Sequence, residues 1–138
     1  MGRKFTTYWG AEAFDTGWRP CSDWRDTELG SEAAKNIDGN IIHNLNVEPS
    51  HLWVNCVFTD DPDAPVGGEF FGGNVTYVDN TAYVQTWGWM YKGVAANPLN
   101  EITVQTGADG VSVLSGAGGF FSVDDEEWMY RVVLVRMI

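Results

Sequence analysis

The chain has 138 residues, 44% of them hydrophobic, which is enough for one compact domain with a core and too few for two ordinary ones. Its 8 Lys and Arg face 19 Asp and Glu, a formal charge of -11. A phosphate backbone or an anionic lipid surface would be repelled at long range, so neither nucleic acid nor membrane is an expected partner. No apolar run approaches the ~18 residues of a membrane span, and the opening MGRKFTTYWG lacks the apolar stretch of a secretory leader. A complete chain is expected to be cytoplasmic, and one from which a leader was removed is expected to be secreted.

Glycine falls between short apolar or aromatic runs, and helical periodicity is almost absent, which predicts an all-β fold in a single domain over 1 to 138. In chain order the predicted strands are KFTTYWGAEAF (4 to 14), LWVNCVFT (52 to 59), GEFFGGNVTYV (68 to 78), AYVQTWGWMYKG (82 to 93), NEITVQTG (100 to 107), GVSVLSGAGGFFSV (110 to 123) and EWMYRVVLVRM (127 to 137). NIIHNLNVE (40 to 48) is a possible eighth. Between the first two lies a less regular, charged stretch from 15 to 38, in which TELGSEAAKN could form a short helix or a lid. TDDPDAPVGG (59 to 68) reads as an exposed loop. Asp79-Asn80, Asn97-Pro98 and Asp109-Gly110 are turn dipeptides, so consecutive strands form an antiparallel meander. Seven or eight such strands are most economically closed into a barrel, which removes their unpaired edges.

Successive strand residues point to opposite faces, so Tyr83, Gln85, Trp87, Trp89 and Tyr91 share one face, opposite the smaller Ala82, Val84, Thr86, Gly88 and Met90. The same rule groups Glu69, Phe71, Gly73, Val75 and Tyr77, and in the last strand Trp128, Tyr130, Val132, Leu134 and Arg136. Such rows can fill a core, line a ligand cavity or stack on a sugar from outside. Seven Trp and five Tyr favour a wet or ligand-filled centre, because their polar tips are costly to bury without partners.

Other chemistries find little footing. His43 and His51 have no metal-pair spacing, and Pro62 and Pro65 interrupt the alternation that Asp60, Asp61 and Asp63 would need for calcium. No GxSxG is present, and Ser115-Gly116-Ala117-Gly118-Gly119 lacks the Gly-Lys-Ser/Thr of a phosphate loop. Cys21 and Cys56 stand outside any CxxC motif, and two buried thiols are favoured over one bridge. Asn74-Val75-Thr76 is a glycosylation sequon, relevant only to a secreted chain. DDEEW (124 to 128) reads as a solvated turn.

NPLNEITVQTGADGVSVLSGAGGFFSV (97 to 123), with the closing EWMYRVVLVRM, resembles the allene oxide cyclase and dirigent barrel superfamily from about Gly68 onward. Ser115-Gly116-Ala117-Gly118-Gly119-Phe120 occupies the place of that family's Gly-Gly-Thr-Gly-x-Phe type turn, with the first glycine and the threonine replaced. The resemblance implies an eight-stranded antiparallel barrel with an aromatic-lined pocket, no metal or organic cofactor, and assembly as a homodimer or homotrimer. It also implies a cyclase or isomerase that folds a small lipophilic substrate into a reactive shape, an orientation effect. No catalytic residue carries over by motif. Strand parity supplies the candidates: Glu69, Gln85 and Tyr91 for proton transfer or hydrogen bonding, and Phe71, Tyr77, Tyr83, Trp87 and Trp89 for substrate binding. The alternative is a non-catalytic binding module for an apolar small molecule, calycin-like, or for a carbohydrate. An aromatic subunit interface is a third expectation.

Overall fold

The computed structural model describes residues 2–21, 38–61, 63, 68–73, 75–78, 82–91, 97–107, 110–123 and 127–138, with the backbone alone at 38–40, 76–78, 82–85 and 91. The expected helix or lid at 27 to 36, the Asp79-Asn80 turn and Asn74 of the sequon lie outside the described residues. The strands are β1 (Arg3–Thr6), β2 (Glu12–Asp15), β3 (Arg19–Pro20), β4 (Asp38–Ile42), β5 (Leu52–Thr59), β6 (Glu69–Phe71) and β7 (Val75–Val78). They continue with β8 (Ala82–Gln85), β9 (Trp87–Tyr91), β10 (Glu101–Thr106), β11 (Ser112–Leu114), β12 (Phe120–Ser122) and β13 (Met129–Arg136). A 3-10 turn over Pro49–His51 leads into β5. No helix among the described residues is long and apolar enough to cross a membrane.

The all-β, antiparallel expectation holds, but the topology is not that of a simple meander. A six-stranded sheet runs β1-β2-β13-β5-β6 with β3 also on β13, a second sheet runs β4-β10-β9, and β7–β8 and β11–β12 are hairpins. No closed eight-stranded barrel is found among the described residues. The reason lies in the last strand. Instead of closing the end of a series, β13 pairs with β2 on one side and along the full length of β5 on the other.

Four segments that read as single strands are each two strands. Glycines in the left-handed region make three of the breaks: Gly10 between β1 and β2, Gly72 and Gly73 between β6 and β7, and Gly116 and Gly118 between β11 and β12. The fourth falls at Thr86, where the chain passes from the β7–β8 pairing to the β9–β10 ladder and the Thr86 carbonyl accepts the Gly107 N–H at 2.7 Å in the register of that ladder. The possible eighth strand is regular only to Ile42. Beyond it Asn44 and Asn46 adopt φ of 55 and 52, a conformation that asparagine tolerates, and His43, Leu45 and Val47 turn inward between them. Asn100 anchors this arm, accepting the His43 and Asn44 N–H groups on its carbonyl and that of Asn46 on Oδ1.

Burial follows the two-residue period along most of β13, whereas Ala13–Asp15 of β2 and Cys56–Thr59 of β5 are buried on both faces. Tyr130, Val132 and Leu134 of β13 face Phe58, Cys56 and Val54 of β5, and Phe14 of β2 lies opposite Leu134. Ile41, Ile102, Val104 and Trp87 from the smaller sheet, with Val111, Val113 and Val123, complete the core. The opposite face of the six-stranded sheet carries the rows Phe5–Ala13–Val135–Trp53 and Arg3–Asp15–Val133–Asn55.

Candidate functional site

The ladder between β9 and β10 sets the site. Its register pairs Trp87 with Thr106, Gly88 with Gln105, Trp89 with Val104 and Met90 with Thr103. Residues directly opposite share a face, so Trp87 and Trp89 stand with Val104 on the core side, and Gly88 and Met90 stand with Gln105 on the other. A cleft of about 290 Å³ lies against this ladder, lined by Trp87, Gly88, Trp89, Met90 and Gln105 together with Thr106 and Gly107.

Trp87 is 5% exposed, and its indole N–H donates to the Gly72 carbonyl at 2.8 Å. That carbonyl is placed by the Gly72–Gly73 turn. A Cβ on Gly73 would come within 3.1 Å of the Ser112 carbonyl and 3.2 Å of the Val111 and Val113 methyl groups, so only glycine lets the turn pack on β11. The chain of contact from β11 through the turn to Trp87 fixes the indole. Trp89 packs partly buried against the core, Met90 is exposed, and Gln105 offers an exposed amide.

The expected site residues are therefore only partly brought together. Trp87 and Trp89 share the cleft. Tyr91 ends β9 opposite Ile102, and Tyr77 and Tyr83 pair in the β7–β8 hairpin with Gln85 opposite Val75; the side chains of these four predicted residues lie outside the described residues. Glu69 and Phe71 do not join Trp87. Their register opposite Thr59 and Val57 puts them on the outer face of the six-stranded sheet, where Phe71 is 65% exposed. Phe70 is the residue that faces Phe58, with its ring 5.3 Å from that of Trp128 and 5.6 Å from that of Phe121. The overlooked signal is Glu69 itself: on a strand with one buried face, a carboxylate marks the solvent side.

Burial favours the neutral form of His43 and of Cys56. His43 is fully buried, and burial lowers its pKa to about 4. Its Nδ1 accepts the Leu45 N–H at 3.0 Å, which puts the imidazole proton on Nε2. Cys21 and Cys56 are buried and not joined by a disulfide, and burial, helped by Cys21, pushes the Cys56 thiol well up. Among the described residues no three His, Cys, Asp or Glu side chains gather in a way that could hold a metal ion.

A second cleft went unread in the sequence. Its floor is the Asp15–Arg131 ion pair, whose members are 116 residues apart and are joined only by the pairing of β2 with β13. Comparison of the chain with protein families, with curated proteins and with solved structures finds no match.

Proposed function

We propose that the chain is a binding module that holds a small apolar or amphipathic molecule against the β9–β10 ladder. The observation that carries this reading is the cleft along that ladder, with Met90 and Gln105 on its outer face and the partly buried Trp89 and the Gly72-locked Trp87 on its core face. The Met90 thioether and the accessible part of Trp89 supply apolar contact, Trp87 holds the ladder from the core side, and the Gln105 amide orients a polar edge, a division of labour usual in a small-molecule site. Binding is favoured over catalysis because Glu69, one of the three expected catalytic residues with Gln85 and Tyr91, stands on the other sheet, away from this cleft.

A second reading is the cyclase or isomerase of the allene oxide cyclase and dirigent type, in a closed barrel and a homo-oligomer. It is supported by the inward parity of the two tryptophans and by the Ser115–Phe120 turn, a hairpin connection in which Ser115 Oγ accepts the Ala117 and Gly119 N–H groups.

Thermal shift against lipophilic polyenes and terpenoids on one side and oligosaccharides on the other tests the proposal. A ligand present at a hundred times its Kd stabilises the folded state by about 2.7 kcal/mol. The lipophilic panel should raise Tm in the native chain and not in Trp89→Ala. Silence from that panel, or a response confined to sugars, overturns the proposal. Mass-shift-neutral cyclised product after incubation would favour the second reading.

A further inference from the structure

On the outer face of the six-stranded sheet, Arg3, Asp15, Gly17, Trp18 and Arg131 line a cleft of about 370 Å³. The register explains the convergence. Arg3 lies opposite Asp15, Asp15 lies opposite Val133, and Arg131 stands two residues before Val133 on the same face of β13. Arg131 Nε donates to Asp15 Oδ1 at 2.9 Å and to Oδ2 at 3.0 Å, and Nη2 donates to Oδ2 as well. The Gly17 N–H donates to Oδ1 at 2.8 Å, and the guanidinium carbon sits 5.9 Å from the centre of the Trp18 ring. Burial raises the Asp15 carboxyl, but the hydrogen bonds from Arg131 and Gly17 and the charges of Arg131 and Arg3 outweigh it and hold its pKa below the usual value.

A purely structural ion pair needs none of what surrounds this one. The Asp15 side chain is 11% exposed, whereas that of Arg131 is 36% exposed and opens onto the cleft. The side-on fork occupies Nε and one hydrogen of Nη2. No acceptor among the described residues takes Nη1, so the end-on edge of the guanidinium remains. Asp15 holds the guanidinium through a two-point fork and the Trp18 ring lies within cation–π range of it, so part of the entropy a free arginine would lose on binding is already given up. Arg3 brings a second cation to the same opening. Asp15 through its hydrogen bonds and Glu69 through its charge both act on Arg131, so with Arg3 the cleft is close to balanced in charge on a chain of net charge -11, and it is the directed N–H groups of the end-on edge that single out an acceptor.

We propose that this cleft binds a small organic carboxylate, received end-on by Arg131 with Arg3 as the second cation and the Trp18 indole as an apolar wall. A planar carboxylate matches the two parallel N–H groups of that edge. A single negative charge suits the site better than a phosphate dianion, which Asp15 beneath it and the overall charge would oppose. The volume falls in the range of small-molecule sites.

The test is titration of the full chain with sodium benzoate, sodium acetate, neutral benzamide and inorganic phosphate, read by NMR at the Arg131 Nε–H and Trp18 indole N–H signals. Benzoate should shift both signals saturably, acetate more weakly, and benzamide not at all. Arg131→Lys keeps the charge but loses the fork, and should abolish the response. Arg3 is exposed and contributes nothing to the core, so Arg3→Gln keeps the test valid should the first variant unfold. It should weaken benzoate about tenfold, the scale of one charge-assisted contact. No saturable shift with benzoate or acetate up to roughly 50 mM, where even millimolar affinity would register, overturns the proposal. So does unchanged affinity in Arg3→Gln, an equal response to benzamide, or tighter binding of phosphate than of benzoate.

Discussion

His43 shows how one buried side chain sets an acid limit. In the unfolded chain its imidazole takes a proton near 6.5, and in the folded protein only near 4. Between those values the unfolded state binds more protons, so stability rises with pH across the window, is complete above about 6.5 and is lost as pH falls toward 4. The shift corresponds to a loss on the order of 3 kcal/mol. Urea unfolding at pH 7 and pH 4.5 should show a smaller acid loss in His43→Leu than in the native chain, although that variant starts lower because the Leu45 N–H loses its acceptor. An equal loss in both would mean that His43 is not the group that titrates. Asp15 acts with the same sign at lower pH, because its lowered pKa gives a contribution that disappears as the carboxylate is protonated.

At the scale of the strand, β6 is a test of parity. Phe70 and Phe71 are adjacent and chemically identical, yet one packs between Trp128 and Phe121 and the other is solvent-exposed. Phe70→Ala should cost about 2–4 kcal/mol, somewhat below the figure for a fully buried ring, since Phe70 is only partly buried. Phe71→Ala should stay within about 0.5 kcal/mol. Comparable losses at the two positions would place the strand in the other register. Two neighbouring phenylalanines carry no alternation of their own, so the only parity signal on this strand is Glu69, which shares the face of Phe71. In β9 the small residues Gly88 and Met90 separate bulky ones, and the period of two can be read directly.

The whole molecule is organised around its last strand. β13 contributes Tyr130, Val132 and Leu134 to the core and joins β2, near the start of the chain, to β5. The chain must therefore be nearly complete before the larger sheet can form, a topology of distant contacts that folds slowly. Removal of residues 129–138 should abolish the cooperative thermal transition and the near-UV circular dichroism of the aromatic residues, rather than merely lowering Tm. A truncated chain that kept a sharp transition would show that the rest folds without its central strand. The same strand creates the Arg131 cleft, because it alone sets Arg131 beside Asp15. The strand class, the antiparallel pairing and the shared face of Trp87 and Trp89 were determined by the sequence itself, since turn residues and two-residue alternation act over a few neighbouring positions. Which strand is central, whether the Trp87–Trp89 face turns inward and where Arg131 finds its partner were decided only by tertiary structure. Pairing across more than a hundred residues is chosen by the fit of distant faces, and that fit leaves no local trace in the chain.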